Sequence, residues 1–142
     1  MNKQGLIFYL INIVGGIGVL VSYAHGLMTQ VELRGELWGA VPESIQSYYT
    51  ICMVLSALGY FFFTAYIIIY VPFSSEHIFG TFNFALINLF YAGFIIPSAF
   101  WISMTFTMMT DPTPVLWVGI RSVLFIVGFS AVGLLGAFFF SK

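Results

Sequence analysis

Charged residues are scarce in this 142-residue chain. Only 6% of its residues are Asp, Glu, Lys or Arg, whereas 61% are hydrophobic and the mean hydropathy is +1.04. Soluble domains have about 25% charged residues. A surface with as few charges as this chain has would not be soluble in water. The net charge of −1 also gives no basic patch for nucleic acid. We therefore expect an integral membrane protein.

Cysteine and histidine are nearly absent as well. The single cysteine, Cys52, lies in an apolar run, which excludes an internal disulfide and a Cys-x-x-Cys redox or zinc pair. The two histidines, His25 and His77, lie at opposite ends of a predicted span, roughly 30 Å apart. The pattern therefore predicts no zinc site and no haem held by two histidines of one chain, and the sequence identifies no cofactor.

Four long apolar runs make up most of the chain, at residues 5–26, 47–71, 81–108 and 115–140. Each is long enough to cross about 30 Å of hydrocarbon, and the first is longer than the apolar core of a cleaved signal peptide. Backbone groups find no water in the bilayer core, so the spans must be helices. Short connections between them predict one all-α transmembrane domain, a four-helix up-down-up-down bundle.

Polar residues concentrate in the connections between these runs. Residues 27–45 are predicted to form an interfacial loop with a short helix, and residues 72–80 and 110–114 to form turns. Pro72 is expected to end the second helix, and Pro97 to bend the third, because proline lacks the backbone N–H.

Small residues recur at helical spacing and predict close helix contacts. Gly15 and Gly18 share one face of the first helix, and Gly133 and Ala137 share one face of the fourth. Hydroxyl side chains within the spans are expected to bond back to carbonyls of their own helix.

Arg121 is the only charged residue inside the four runs. A charge in a span usually faces the bundle interior or a polar cavity, or its long side chain reaches up to the headgroups. The spans contain no Asp or Glu, which argues against a small proton-coupled exporter. No potassium-channel filter motif is present.

A ligand site around Arg121 is the functional prediction that these residues support. The predicted ligand-binding residues, all toward the outer half of the bilayer, are Arg121, His25, Tyr49, Trp101, Thr105 and Trp117. A guanidinium fork suits a carboxylate or phosphate, so the expected ligand is an anionic small molecule or a lipid headgroup. No catalytic residue is assigned, because His25 and Ser22 have no orienting carboxylate nearby.

Three functions follow from this pattern, in decreasing order of support. The first is a non-enzymatic ligand-binding or transport module. The second is an accessory subunit or assembly factor of a larger membrane complex, packing against other membrane chains or copies of itself. The third is an enzyme that acts on a lipid. A pocket lined by Arg121 and His25 would favour the first, and an Arg121 directed to the headgroups would favour the second.

The distribution of cations predicts that both termini are cytoplasmic, because Lys3 and Lys142 lie on one side and Arg34 on the other. In a chain whose Cys52 is replaced by serine, Asn2→Cys should resist an impermeant thiol reagent in intact cells, whereas Thr113→Cys should react. The reverse labelling pattern would contradict this orientation.

Overall fold

The computed structural model describes residues 3–73 and 83–139, with the backbone alone at residues 138 and 139. The described residues form helices and their connections, without strands. As predicted, four helices are long and apolar enough to cross a membrane. They are α1 (Lys3–Thr29), α2 (Glu43–Tyr70), α3 (Phe84–Thr110) and α4 (Pro114–Phe139). Most of the predicted turn at 72–80, the first two residues of the third run and the last residue of the fourth lie outside the described residues.

Local sequence explains where the helices begin and end. The side-chain oxygen of Asn83 accepts a hydrogen bond from the N–H of Leu86 at 3.0 Å at the start of α3, and Thr113 does the same for Leu116 at 3.2 Å in α4. These bonds satisfy N–H groups that have no partner inside the helix. The helix α2 ends just before Pro72, as predicted. The predicted short helix is a 3₁₀ helix at Arg34–Trp38.

A π turn, which the sequence analysis did not predict, interrupts α1 at Ile11–Gly15. The Asn12 side chain donates a hydrogen bond to the carbonyl oxygen of Phe8 at 2.8 Å, beside the point where the backbone pattern changes. Gly15, the last residue of the turn, is where α1 closely approaches its neighbour. A β-carbon at Gly15 would lie only 2.6 Å from Cγ2 of Ile95.

The described chain divides into two compact units. The first contains α1, α3 and α4, and the second is formed by residues 35–72, which include α2. Within the second unit, the rings of Trp38 and Tyr49 meet edge to face at 6.5 Å, and the side chain of Gln46 donates to the carbonyl of Val41 at 3.1 Å. The single transmembrane domain stays a prediction.

The helix α3 is the centre of the first unit, because both α1 and α4 pack against it. Its contacts with α1 follow the same direction along both helices, from Gln4 with Asn88, through Gly15 with Ile95, to Gly26 with Phe106. These two helices are therefore parallel. Contacts with α4 run in opposite senses, since residues 90, 93 and 104 approach residues 133, 130 and 119 respectively. The helices α3 and α4 therefore form an antiparallel hairpin.

A buried polar contact joins the beginnings of α1 and α3. Asn88 is only 5% exposed, and its Nδ2 donates to the Gln4 carbonyl oxygen at 3.1 Å and to Gln4 Oε1 at 2.8 Å. Phe8 and Tyr91 pack edge to face one turn further along, with ring centroids 4.8 Å apart. Since Asn88 reaches Gln4 only in one alignment, the pair fixes the register of α1 on α3.

Pro97 lies inside α3, and the helix continues on both sides of it. The hydroxyl of Ser98 donates to the carbonyl oxygen of Phe94 at 2.6 Å, within the turn that surrounds the proline. The bend expected at Pro97 stays a prediction.

The close approach predicted at Gly133 is confirmed. A β-carbon at Gly133 would lie 2.5 Å from two ring atoms of Phe90, and Ala137 is buried. Gly133→Val should therefore force the α3–α4 hairpin apart and cost about 1–3 kcal/mol, the usual range for overpacking. The melting temperature in detergent measures this loss. Gly136→Val is the matched control, since a β-carbon there meets nothing within 4 Å. Equal melting temperatures for the two variants would contradict the contact.

Candidate functional site

The α3–α4 hairpin determines where Arg121 points. Gly119 approaches Met104 of α3, and Gly93 of α3 approaches Ser130, so this side of α4 is the packed one. Arg121 lies two residues after Gly119, about 200° around the helix at ~100° per residue. Its side chain is accordingly exposed, on the side of α4 opposite α3.

The guanidinium of Arg121 stacks on the indole ring of Trp117. The Cζ atom lies 3.7 Å from the ring centroid, well within the distance at which a cation is attracted to an aromatic face. Trp117 precedes Arg121 by one helical turn, so the stack carries the charge back toward the start of α4. Trp117 is only three residues from Pro114, about 5 Å at ~1.5 Å per residue. The charge therefore lies close to the beginning of the helix.

Within the described residues of the first unit, no carboxylate forms an ion pair with Arg121. Asp111, in the turn that precedes α4, is exposed and forms no ion pair with Arg121 among the described residues. Arginine is not deprotonated in proteins, so the guanidinium carries a full positive charge on the outer side of α4. Contact with the Trp117 ring through the face of the guanidinium does not use its N–H donors.

An open depression adjoins the stack at the turn between α3 and α4. Its volume is about 520 Å³, and it is lined by Met108, Pro112, Thr113, Pro114, Trp117 and Val118. Trp117 belongs to both features, because one part of the residue lines the depression while its ring carries the guanidinium. The sequence analysis missed the other lining residues. The signal for them was Thr113-Pro114, a typical helix start.

The other predicted ligand residues in the first unit lie on α1 and α3. Trp101 packs against Tyr23 of α1 with ring centroids 6.0 Å apart, and Thr105 donates its hydroxyl to the Trp101 carbonyl at 2.8 Å. His25 is exposed, and its backbone carbonyl accepts a hydrogen bond from Thr29 at 2.7 Å. The Thr105 bond is the predicted return of a hydroxyl to its own helix. The contacts described for these residues are therefore within α1, within α3 or between the two helices.

The six predicted ligand residues are therefore distributed over several places. Arg121 and Trp117 form one pair, Trp101 and Thr105 lie together on α3, and His25 is exposed on α1. Tyr49 lies beside Trp38 in the second unit. Neither Arg121 nor His25 lines the depression, so it is not the shared pocket that would favour a ligand-binding module. That any of the six residues binds a ligand stays a prediction. Arg121 and Trp117 are the pair that places a cation beside the depression.

The absence of an ion pair with Asp111 leads to a stability prediction. Arg121→Leu should leave the melting temperature in detergent unchanged or raise it, because no bonded carboxylate is left behind and a costly charge is removed. Asp111→Asn should likewise have little effect. If both variants instead lost about 3–5 kcal/mol, as rupture of a buried ion pair does, Arg121 would be a structural clasp.

Comparisons with known proteins provide no identity for this arrangement. No protein-family model, no curated protein and no solved structure matches the chain. The function must therefore be argued from the side chains of the site.

Proposed function

We propose that the chain is an integral membrane protein that binds an oxyanion, a phosphate or carboxylate group, at Arg121 and Trp117 without chemically changing it. The observation that carries the proposal is the exposed guanidinium over the Trp117 ring, with no ion pair to a described carboxylate of the first unit. An uncompensated charge on an apolar helix is costly, and an oxyanion relieves that cost through charge-assisted hydrogen bonds.

The membrane assignment is supported by four helices long and apolar enough to span a bilayer. We propose the up-down-up-down bundle predicted from the sequence, with both termini cytoplasmic. This topology requires α1 to be parallel to α3 and α4 to be antiparallel to α3, and these three helices are arranged in that way. The start of α4, with Trp117 and Arg121, then lies at the outer surface.

Depth favours an anion at the membrane surface. The Trp117–Arg121 stack lies in the first turns of α4, at the level where tryptophan concentrates in membrane proteins. The N-terminal end of a helix also carries a partial positive charge, which adds to the attraction of the guanidinium. Water and headgroups reach this level, so the anion need not be fully dehydrated.

The test is stabilisation by an anion in detergent solution. Inorganic phosphate should raise the melting temperature of the wild-type protein relative to sodium chloride at the same ionic strength. At a phosphate concentration of 100 times Kd, the free energy of unfolding should increase by about 2.7 kcal/mol. Arg121→Gln should abolish this increase. Arg34→Gln is the matched control: its side chain bonds the Leu27 carbonyl at the end of α1, so the variant should keep the phosphate response whatever its own stability.

Two outcomes would contradict the proposal. One is a phosphate response that persists in Arg121→Gln, which would place the anion elsewhere. The other is no response in the wild type together with a co-purified chain whose carboxylate pairs with Arg121, which would favour the accessory-subunit alternative.

A further inference from the structure

On the outward side of α4, large apolar side chains lie before and after Arg121, with one gap. Trp117, Phe125 and Val132 are 49%, 76% and 67% exposed. They are spaced so that they share one side of the helix with Arg121. The gap is Gly128, where a β-carbon would meet nothing within 4 Å. Arg121 and Gly128 are seven residues apart, about two turns and ~10 Å along the helix axis.

We infer that the ligand of the Arg121 site is an anionic phospholipid, with its phosphate at the guanidinium and one acyl chain in the Gly128 gap. This inference rests on the proposed function, and it adds that the anion is attached to the membrane. The polar end of such a lipid matches the exposed cation, and its chain extends toward the bilayer centre, which is the direction of α4 from Arg121 to Gly128.

Charge complementarity selects this ligand among those that could cover the surface. A zwitterionic lipid brings its own cation to the headgroup and leaves less net charge to neutralise Arg121. A soluble anion would contact only the first turns of α4 and leave the Gly128 gap unused. An anionic phospholipid would contact all three features at once: the guanidinium, the depression beside Trp117 and the gap.

The gap contributes through contact. Lipid chains are as apolar as the surrounding bilayer, so no hydrophobic gain drives the chain onto α4. A chain that lies in the gap exchanges contacts with neighbouring lipids for contacts with the helix at Gly128. We expect the fit of the chain to this gap to change the affinity on the order of tenfold.

The experiment is native mass spectrometry of the full chain released from nanodiscs of phosphatidylglycerol and phosphatidylcholine in equal amounts. The wild type should retain phosphatidylglycerol in preference to phosphatidylcholine. Gly128→Leu, which fills the gap, should reduce retained phosphatidylglycerol about tenfold and keep the phosphate-induced thermal stabilisation. Arg121→Gln should lose both. Gly16→Leu is the matched control, because a β-carbon at Gly16 in α1 also meets nothing within 4 Å, and it should behave as the wild type.

The outcomes separate the two proposals. If Gly128→Leu retains phosphatidylglycerol as the wild type does, the chain-binding gap is refuted while anion binding at Arg121 stands. The same holds if the wild type retains both lipids equally but still responds to phosphate. If Arg121→Gln keeps its phosphatidylglycerol and its phosphate response, both proposals fail.

Discussion

The close packing of α3 against α1 on one side and α4 on the other is the constraint on which the rest of the first unit depends. Glycines bring the backbones together at Gly15, Gly93 and Gly133, where a β-carbon would lie within about 2.6 Å of a neighbouring side chain. In a bilayer, such contacts take the place of the hydrophobic driving force between helices. The hairpin of α3 and α4 thereby fixes which side of α4 is packed and which is exposed.

The exposure of Arg121 is a direct consequence of that packing. Because Gly119 and Gly133 turn toward α3, Arg121 must turn away, and Trp117 is the neighbour one turn closer to the start of the helix. The cation–π stack holds the charge near that start and gives the guanidinium a defined orientation. The charge thus lies on the exposed side of α4, without an ion pair to Asp111 of the adjoining turn.

The positions of the four long helices could be predicted from the sequence, because long apolar runs and their proline and polar boundaries have few alternatives in a bilayer. The close approaches at Gly15 and Gly133 were also predictable from small residues at helical spacing. The pairing of Gln4 with Asn88 was not, since it depends on which helices are neighbours, and the π turn at Ile11–Gly15 has no distinct residue signature. For the same reason, the sequence predicted Arg121 as a site residue but not the side of α4 that faces outward.

The most direct test of the account is the distance between the Arg121 guanidinium and a phosphate. Solid-state NMR of the protein in phosphatidylglycerol-containing bilayers, with ¹⁵N-labelled arginine, measures dipolar coupling from the guanidinium nitrogens to ³¹P. Arg34 is the only other arginine, so an Arg34→Lys variant isolates the signal of Arg121. The account predicts strong coupling, as for a nitrogen and a phosphorus joined through one hydrogen bond. Absence of coupling, with the protein intact in the bilayer, would contradict it.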